Sequence, residues 1–183
     1  MADAKQLIIE SPTYGTFTVL YDAEDHDKVS AHAWYMMKDN TTTDTFYVTT
    51  HIPHPDGGWY YPPNGPRTRR KVKLYIHRLI MDAPKGMDVD HINGNPLDNR
   101  KSNLRICTHA ENQRNKGAYK NNTSGYKGVS WYKRDKKWIA GIKHNNKGIY
   151  IGLFEDKEEA ARAYDKKAKE LHGEFAYLNF PDE

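Results

Sequence analysis

Polar and apolar positions alternate with the period of a strand at several places along the chain. Leu7-Ile8-Ile9, Thr16-Phe17-Thr18-Val19-Leu20-Tyr21 and Phe46-Tyr47-Val48-Thr49 are β-branched and aromatic runs separated by polar stretches, and each predicts a strand. Asp22 to Ala33 predicts a short helix, after which Trp34-Tyr35-Met36 enters another strand. Between Pro53 and Pro66 there are five Pro and three Gly in fourteen residues, a composition that excludes a continuous ladder. Val89 to Gly94 runs into a turn, and Leu104-Arg105-Ile106-Cys107 reads as the returning strand. Thr108 and Glu111 then form a capping box that opens a short helix carrying Asn112. Towards the C-terminus three strands are predicted, Tyr126–Trp131, Lys137–Lys143 and Gly148–Leu153. In the middle one Trp138, Ala140 and Ile142 share a face. The helix that follows has Asp156 as its cap, Glu159 at the third position, Gly173 as its stop, and Ala161, Tyr164, Ala168 and Leu171 in one stripe. One face of that sheet should bury against the stripe. The pattern is α+β.

Composition narrows the class. At 37% hydrophobic the chain of 183 residues is poor in core material for one large domain and suits several small ones. Its one cysteine, Cys107, excludes an internal disulfide framework and a Cys-rich zinc site, and reads as a small buried hydrophobe. No run approaches the length of a membrane span and no secretory segment opens the chain, so a soluble cytoplasmic protein without a membrane partner is expected. The net charge of +4 conceals a strong asymmetry. Residues 1–66 hold three Lys against nine Asp or Glu, a net of −6, whereas residues 67–120 hold 13 Lys or Arg against five acids, a net of +8. Residues 121–153 add +6 and residues 154–183 subtract 4. Two basic surfaces point to a polyanion such as nucleic acid.

The central segment carries the chemistry. Asp90 is a hard oxygen donor suited to a magnesium-like ion, and Asn112 offers an amide oxygen from the helix. His91, as a neutral imidazole, can take a proton from water attacking a phosphodiester. Asn103 is placed to bond the loop backbone and orient His91. Asp90-His91, Asn103 twelve residues after the histidine, and Asn112 nine further on resemble the HNH nuclease motif in its His-Asn-Asn form, as in phage and intron-encoded homing endonucleases. The likeness extends over about 45 residues around these positions. It implies a ββα-metal unit with His91 as general base and Asn103 as its brace. Asp90 and Asn112 would be ligands of one divalent cation, Mg²⁺ or alternatively Mn²⁺. His77 and Arg78, at a helix start, are either phosphate contacts or structural support, and His109 is expected in local packing or hydrogen bonding.

Residues 125–181, with Glu-Glu-Ala-Ala-Arg-Ala-Tyr-Asp in the helix and Leu-Asn-Phe-Pro at the end, resemble the Apetala2/ethylene-response-factor DNA-binding domain. That likeness implies docking on double-stranded DNA through the sheet. Lys127 and Lys143 stand where the plant family uses Arg, Ser130 where it uses a base-contacting Arg, Gly141 where it uses Glu and Tyr150 where it uses Trp. The plant target sequence therefore does not carry over. Lys133, Arg134, Lys136, Lys137 and Lys147 join Lys127 and Lys143 as phosphate contacts, with Ser130 and Tyr150 on the same surface. Arg67, Arg69, Arg70, Arg78 and Arg114 complete the expected DNA contacts.

The expected organisation is a β-rich platform at 1–66, an HNH nuclease domain at 67–118, a linker at 119–124 and an Apetala2-like domain at 125–183. The expected function is a metal-dependent DNA endonuclease of the homing type, monomeric or transiently dimeric on DNA. The alternatives are a DNA-binding regulator with an inactive nuclease unit, or a structure-selective or repair HNH nuclease.

Overall fold

The computed structural model describes residues 3–39, 45–119 and 121–182. It divides into two compact units, Met1–Thr108 and His109–Glu183.

In the first unit β1 (Ala4–Ser11) and β2 (Gly15–Asp22) pair as an antiparallel hairpin, as their alternating residues predict. A 3₁₀ turn and α1 (His26–Ser30) occupy the expected helical segment. Next come β3 (Tyr35–Lys38), β4 (Phe46–Pro53), β5 (Trp59–Tyr60), β6 (Thr68–Arg69) and β7 (Lys71–Tyr75). Strands β3, β4 and β7 form one antiparallel sheet in that order. Strand β5, inside the Pro/Gly-rich segment, and β6, just after it, form a ladder of two residues each. The unit ends with α2 (Ile76–Ile80) and the hairpin of β8 (Asp88–His91) with β9 (Leu104–Cys107).

None of these elements is large enough to hide its own apolar face, so they share one. Ile9, Val19 and Tyr21 of the first hairpin, Val29 of α1, Met36 and Val48 of the sheet, Ile76 and Ile80 of α2, and Val89 and Leu104 of the last hairpin form a single buried cluster. The acidic segment before residue 66 and the basic one after it therefore pack as one body. The polarity change at the Pro/Gly stretch marks a surface excursion, not a break in the core. His77 lies in this environment at the start of α2, 8% exposed, and burial lowers its imidazole from the usual 6.5 to about 3.

In the second unit α3 (His109–Arg114) precedes β10 (Val129–Tyr132), β11 (Lys137–His144) and β12 (Lys147–Phe154), an antiparallel sheet in chain order, and α4 (Lys157–His172). Asp156 caps α4 as predicted, accepting from the backbone of Glu158 (2.7 Å) and Glu159 (3.0 Å), and Gly173 ends it at positive φ. Ala161, Tyr164 and Ala168 are buried against Val129, Ala140 and Ile142 of the sheet. The α+β class and the three-stranded sheet on one helix are as expected. Of the predicted linker, Lys120 lies outside the described residues. The rest of it includes a tied turn, in which the buried Ser124 hydroxyl donates to Val129 O at 2.8 Å and Asn122 Nδ2 to Tyr126 O at 2.9 Å.

Gly128 is the tightest point of this packing. Its φ is +76°, and a Cβ there would sit 2.1 Å from the Tyr164 ring and 2.8 Å from Gly141 O. Gly128→Ala should cost about 3 kcal/mol or more through overpacking and left-handed strain. Gly125→Ala, at φ +82° with nothing within 4 Å, should cost only about 1 kcal/mol. Urea unfolding of both variants checks the contrast. His77 gives the first unit an acid limit. The unfolded chain binds the proton first, so its contribution is complete above pH 6.5 and declines as pH falls from 6.5 towards about 3. In His77→Gln the slope of stability against pH between 6 and 4 should fall by up to ~1.4 kcal/mol per pH unit, measured from urea midpoints. An unchanged slope would show that the buried imidazole takes its proton at no cost.

Candidate active site and nucleic-acid interface

The β8–β9 ladder sets Asp90 opposite Arg105 and His91 opposite Leu104. Asp90 and His91 are 6% and 7% exposed. Asp90 Oδ2 accepts from Arg105 Nε (2.9 Å) and Nη2 (2.7 Å), so this buried carboxylate has a cation at contact distance within the protein. His91 is the last residue of β8, where the chain turns, and Gly94 N donates to its carbonyl at 2.8 Å. This strand-end position is what lets neighbours on opposite faces of a strand both belong to one site.

The loop between the strands is built from its own side chains. Asn93 and Asn95 each bond the backbone two residues on, Asn95 N to Asn93 Oδ1 (2.8 Å) and Leu97 N to Asn95 Oδ1 (3.1 Å), and Gly94 supplies a φ of +71°. Asn103 braces them. Its Oδ1 accepts from Asn93 N (3.0 Å), while its Nδ2 donates to Asp98 O (2.8 Å) and Asn93 Oδ1 (3.0 Å). The carboxylate of Asp98 grips Arg100 with both oxygens, and that pairing holds its carboxyl below the usual range.

Asn103 thus bonds the loop backbone as expected, but the side chain that meets the imidazole is Asn99. Asn99 is fully buried, its Nδ2 donates to Pro96 O (3.1 Å), and its Oδ1 lies 3.1 Å from His91 Nε2. With the amide nitrogen committed to a carbonyl, the oxygen must face the ring. Nε2 of His91 therefore carries the proton, and in the neutral ring the lone pair is on Nδ1. Burial also pushes the His91 pKa down, which favours the neutral form a base requires. His77 packs edge-on against His91, ring centroids 5.1 Å apart, and Tyr75 stacks on His77 at 5.4 Å.

Asn99 and Arg105 were not singled out from sequence. The connection between β8 and β9 is too long for its length to set the ladder register, so nothing in the sequence paired Arg105 with Asp90, and Asn99 resembled an ordinary turn former. Arg78, expected on DNA, instead donates to three carbonyls, Met87 O (2.6 Å), Pro84 O (3.1 Å) and Ala83 O (3.3 Å), and closes the turn before β8. Of the two roles weighed for it, the geometry is that of structural support.

Asn112 and Arg114 lie on α3, half-buried, and are described with the second unit. On the same helix Gln113 Nε2 and His109 Nε2 are 3.3 Å apart, the local bonding expected of His109. Lys127, expected on phosphate, donates to Arg114 O and Lys116 O at 2.5 Å each and lies 5.2 Å from the Tyr177 ring. Burial lowers its amine to about 8, so it stays mainly charged at neutral pH, tied to the end of α3. Ser130, Lys143 and Tyr150 are exposed, with Gly141 opposite Tyr150 in the ladder. Lys133, Lys136 and Lys147 are exposed as well. Arg134 and Lys137 pair with Asp135 and Glu155 at 2.8 Å each, exposed pairs that a phosphate can replace cheaply. Trp138 packs on the core while Trp131, opposite it, is 44% exposed.

Among the described residues no three His, Cys, Asp or Glu side chains group closely enough to hold a metal ion, and no helix is long and apolar enough to cross a membrane.

Comparison with known proteins agrees with this division of labour. The HNH endonuclease family model matches residues 75–114, and the AP2 domain model matches residues 124–174. Protein 3.8 of Escherichia phage T7 is 40% identical over 93 residues, which cover 51% of this chain and 76% of that protein. The uncharacterized HNH endonuclease L560 of Acanthamoeba polyphaga mimivirus is 33% identical over 128 residues, 66% of each chain. Dehydration-responsive element-binding protein 2D of Arabidopsis thaliana is 40% identical over 74 residues, 38% of this chain and 34% of the plant protein. No solved structure matches. A paired Asp-His at the end of a strand, a loop braced by asparagines, and a three-stranded sheet on one helix thus coincide with the two matched segments, and the chain belongs to the HNH endonuclease family, with an AP2 domain following its HNH unit.

Proposed function

We propose that the chain is a divalent-metal-dependent DNA endonuclease of the site-specific homing type, in which His91 is the general base and the AP2 sheet holds the duplex. The observation that carries this reading is the bond between Asn99 Oδ1 and His91 Nε2, because it leaves the lone pair of a neutral imidazole on Nδ1. In the reaction Nδ1 takes a proton from water as the water oxygen bonds to phosphorus. The opposite P–O bond breaks, and its oxygen takes a proton from a solvent water to leave as a hydroxyl.

The donor set fits a hard cation. Asp90 is a buried carboxylate that already has a positive group against it, and a single carboxylate is enough for a magnesium-like ion that completes its shell with substrate phosphate and water. Asn112 is the second oxygen ligand by family resemblance. When bound, the ion would stabilise charge on the phosphate and the leaving oxygen. Arg105 would hold the carboxylate in position in the absence of the ion.

The regulator alternative predicts binding without cutting, and a structure-selective nuclease predicts a preference for branched DNA. Supercoiled plasmid should be relaxed with Mg²⁺ and not with EDTA. His91→Ala should slow nicking by about 10²- to 10⁴-fold at unchanged DNA affinity. Binding without metal-dependent nicking by the wild type would refute the enzyme reading, and linear against branched duplexes separates the remaining two. Arg105→Gln should destabilise the metal-free protein by about 3 kcal/mol, since it strands a buried carboxylate. Mg²⁺ or Mn²⁺ should restore part of the lost melting temperature, whereas equal response of variant and wild type would exclude Asp90 as a ligand.

A further inference from the structure

The β4–β7 ladder continues past the point where it leaves the core. Beyond Pro53 opposite Lys71, His54 N donates to Arg70 O (2.9 Å) and Arg70 N to Gly58 O (3.0 Å), and Trp59 and Tyr60 then pair with Arg69 and Thr68. Residues 54–70 thus form an arm that extends from the three-stranded sheet. Every residue from Pro55 to Lys71 is exposed except Pro62. A ladder this short with no apolar face of its own is marginal in water, yet the arm presents Trp59, Tyr60 and Tyr61 at 43%, 57% and 68% exposure. Its five prolines, counted from Pro53, lower the entropy lost on ordering, which suits a segment that makes its contacts outside the protein.

Charge says what kind of contact. Arg67, Arg69, Arg70, Lys71 and Lys73 face one acid, Asp56, over residues 54–73. The guanidinium of Arg67 lies 4.5 Å from the Trp59 ring centroid and that of Arg69 5.5 Å, so two planar cations are held in register on one aromatic ring. The centre of a protein–protein interface is depleted in charge, whereas this patch is cationic at its centre. Paired cations beside an aromatic face match phosphates flanking a stack of bases, and a two-stranded ribbon has the width of the DNA major groove.

We propose that the arm docks on duplex DNA away from the scissile phosphate, through Arg67, Arg69 and Trp59. The proposal rests on the nuclease reading only in taking the docked duplex to be the one that is cut. Arg67 lies eight positions before Tyr75, whose ring stacks on His77 beside His91. Extended chain covers this at ~3.3 Å per residue, so Arg67 lies at most ~26 Å from that cluster, or about eight base-pair steps of ~3.4 Å.

The test uses the full chain, a labelled mixed-sequence duplex of about 40 base pairs, supercoiled plasmid and phosphatidylserine vesicles, with binding and nicking measured separately. Arg67→Ala/Arg69→Ala should lower the slope of log affinity against log salt by about 2, and Trp59→Ala should weaken binding about tenfold. Arg67→Lys/Arg69→Lys should keep the salt slope. If the alanine variant melts early, Trp59→Phe keeps the question open to refutation: duplex must quench tryptophan fluorescence more in the wild type than in Trp59→Phe, and equal quenching overturns the proposal. Unchanged binding in all arm variants also overturns it, even if nicking is robust. Loss of vesicle binding with intact duplex binding assigns the arm to anionic lipid and overturns it too. A wild type that never nicks, while arm variants lose duplex affinity, refutes the nuclease and leaves the arm standing.

Discussion

The bond from His91 to Asn99 is the contact on which the candidate site depends, because it ties the His91 imidazole to the loop and the loop to the rest of the first unit. Asn99 is held at both ends. Its backbone N donates to Leu20 O (2.8 Å) on β2, and its side chain meets Pro96 O and the histidine ring. Leu20 in turn donates to Leu97 O (2.8 Å), so the loop lies along the edge of the N-terminal hairpin. Loss of that edge would free a loop that has few apolar anchors of its own, and the tautomer of His91 would no longer be set.

The same dependence explains why an acidic N-terminal segment belongs to a protein that handles a polyanion. Three of its acids, Asp22, Glu24 and Asp25, are turned towards the segment that follows the β8–β9 loop. Asp22 accepts from Lys101 N (2.7 Å), and Lys101 Nζ lies 2.5 Å from Glu24 and 3.2 Å from Asp25. The exposed Lys101–Glu24 pair adds little by itself. The bond from the buried Asp22 carboxylate to the loop backbone, with Asp25 also buried, fixes the register between platform and loop.

In the second unit a comparable knot joins the chain end to the sheet. Asp165 on α4 accepts from Asn179 N (2.9 Å), Asn179 Nδ2 (3.0 Å) and Phe180 N (2.8 Å), and Asn179 Oδ1 accepts from Lys127 N (2.7 Å). Lys127 then anchors the end of α3 through its amine. The lysine at a position where the plant family uses arginine is therefore spent on internal support. Any DNA reading by this sheet falls to the exposed Ser130, Lys143 and Tyr150 and to the turn lysines.

Strands, helices, caps and the two family motifs were legible in the sequence because they depend on neighbours within a turn or two. The alternation of β11, the Asp156 cap and the Gly173 stop need no distant partner. The pairing of Asp90 with Arg105, the burial of Asn99 and the internal use of Arg78 and Lys127 were not legible. Each depends on which carbonyl, carboxylate or ring the fold delivers to a polar side chain, and a charged residue looks the same in sequence whether it faces solvent or a carbonyl. Sequence by itself determined the chemistry on offer: a histidine base, a carboxylate, neutral amides, no thiolate site and two basic surfaces. Tertiary structure alone decided which of these groups gather at the candidate site and which hold the scaffold, because burial and long-range hydrogen bonds set the orientation and protonation of a polar group, and neither is encoded locally.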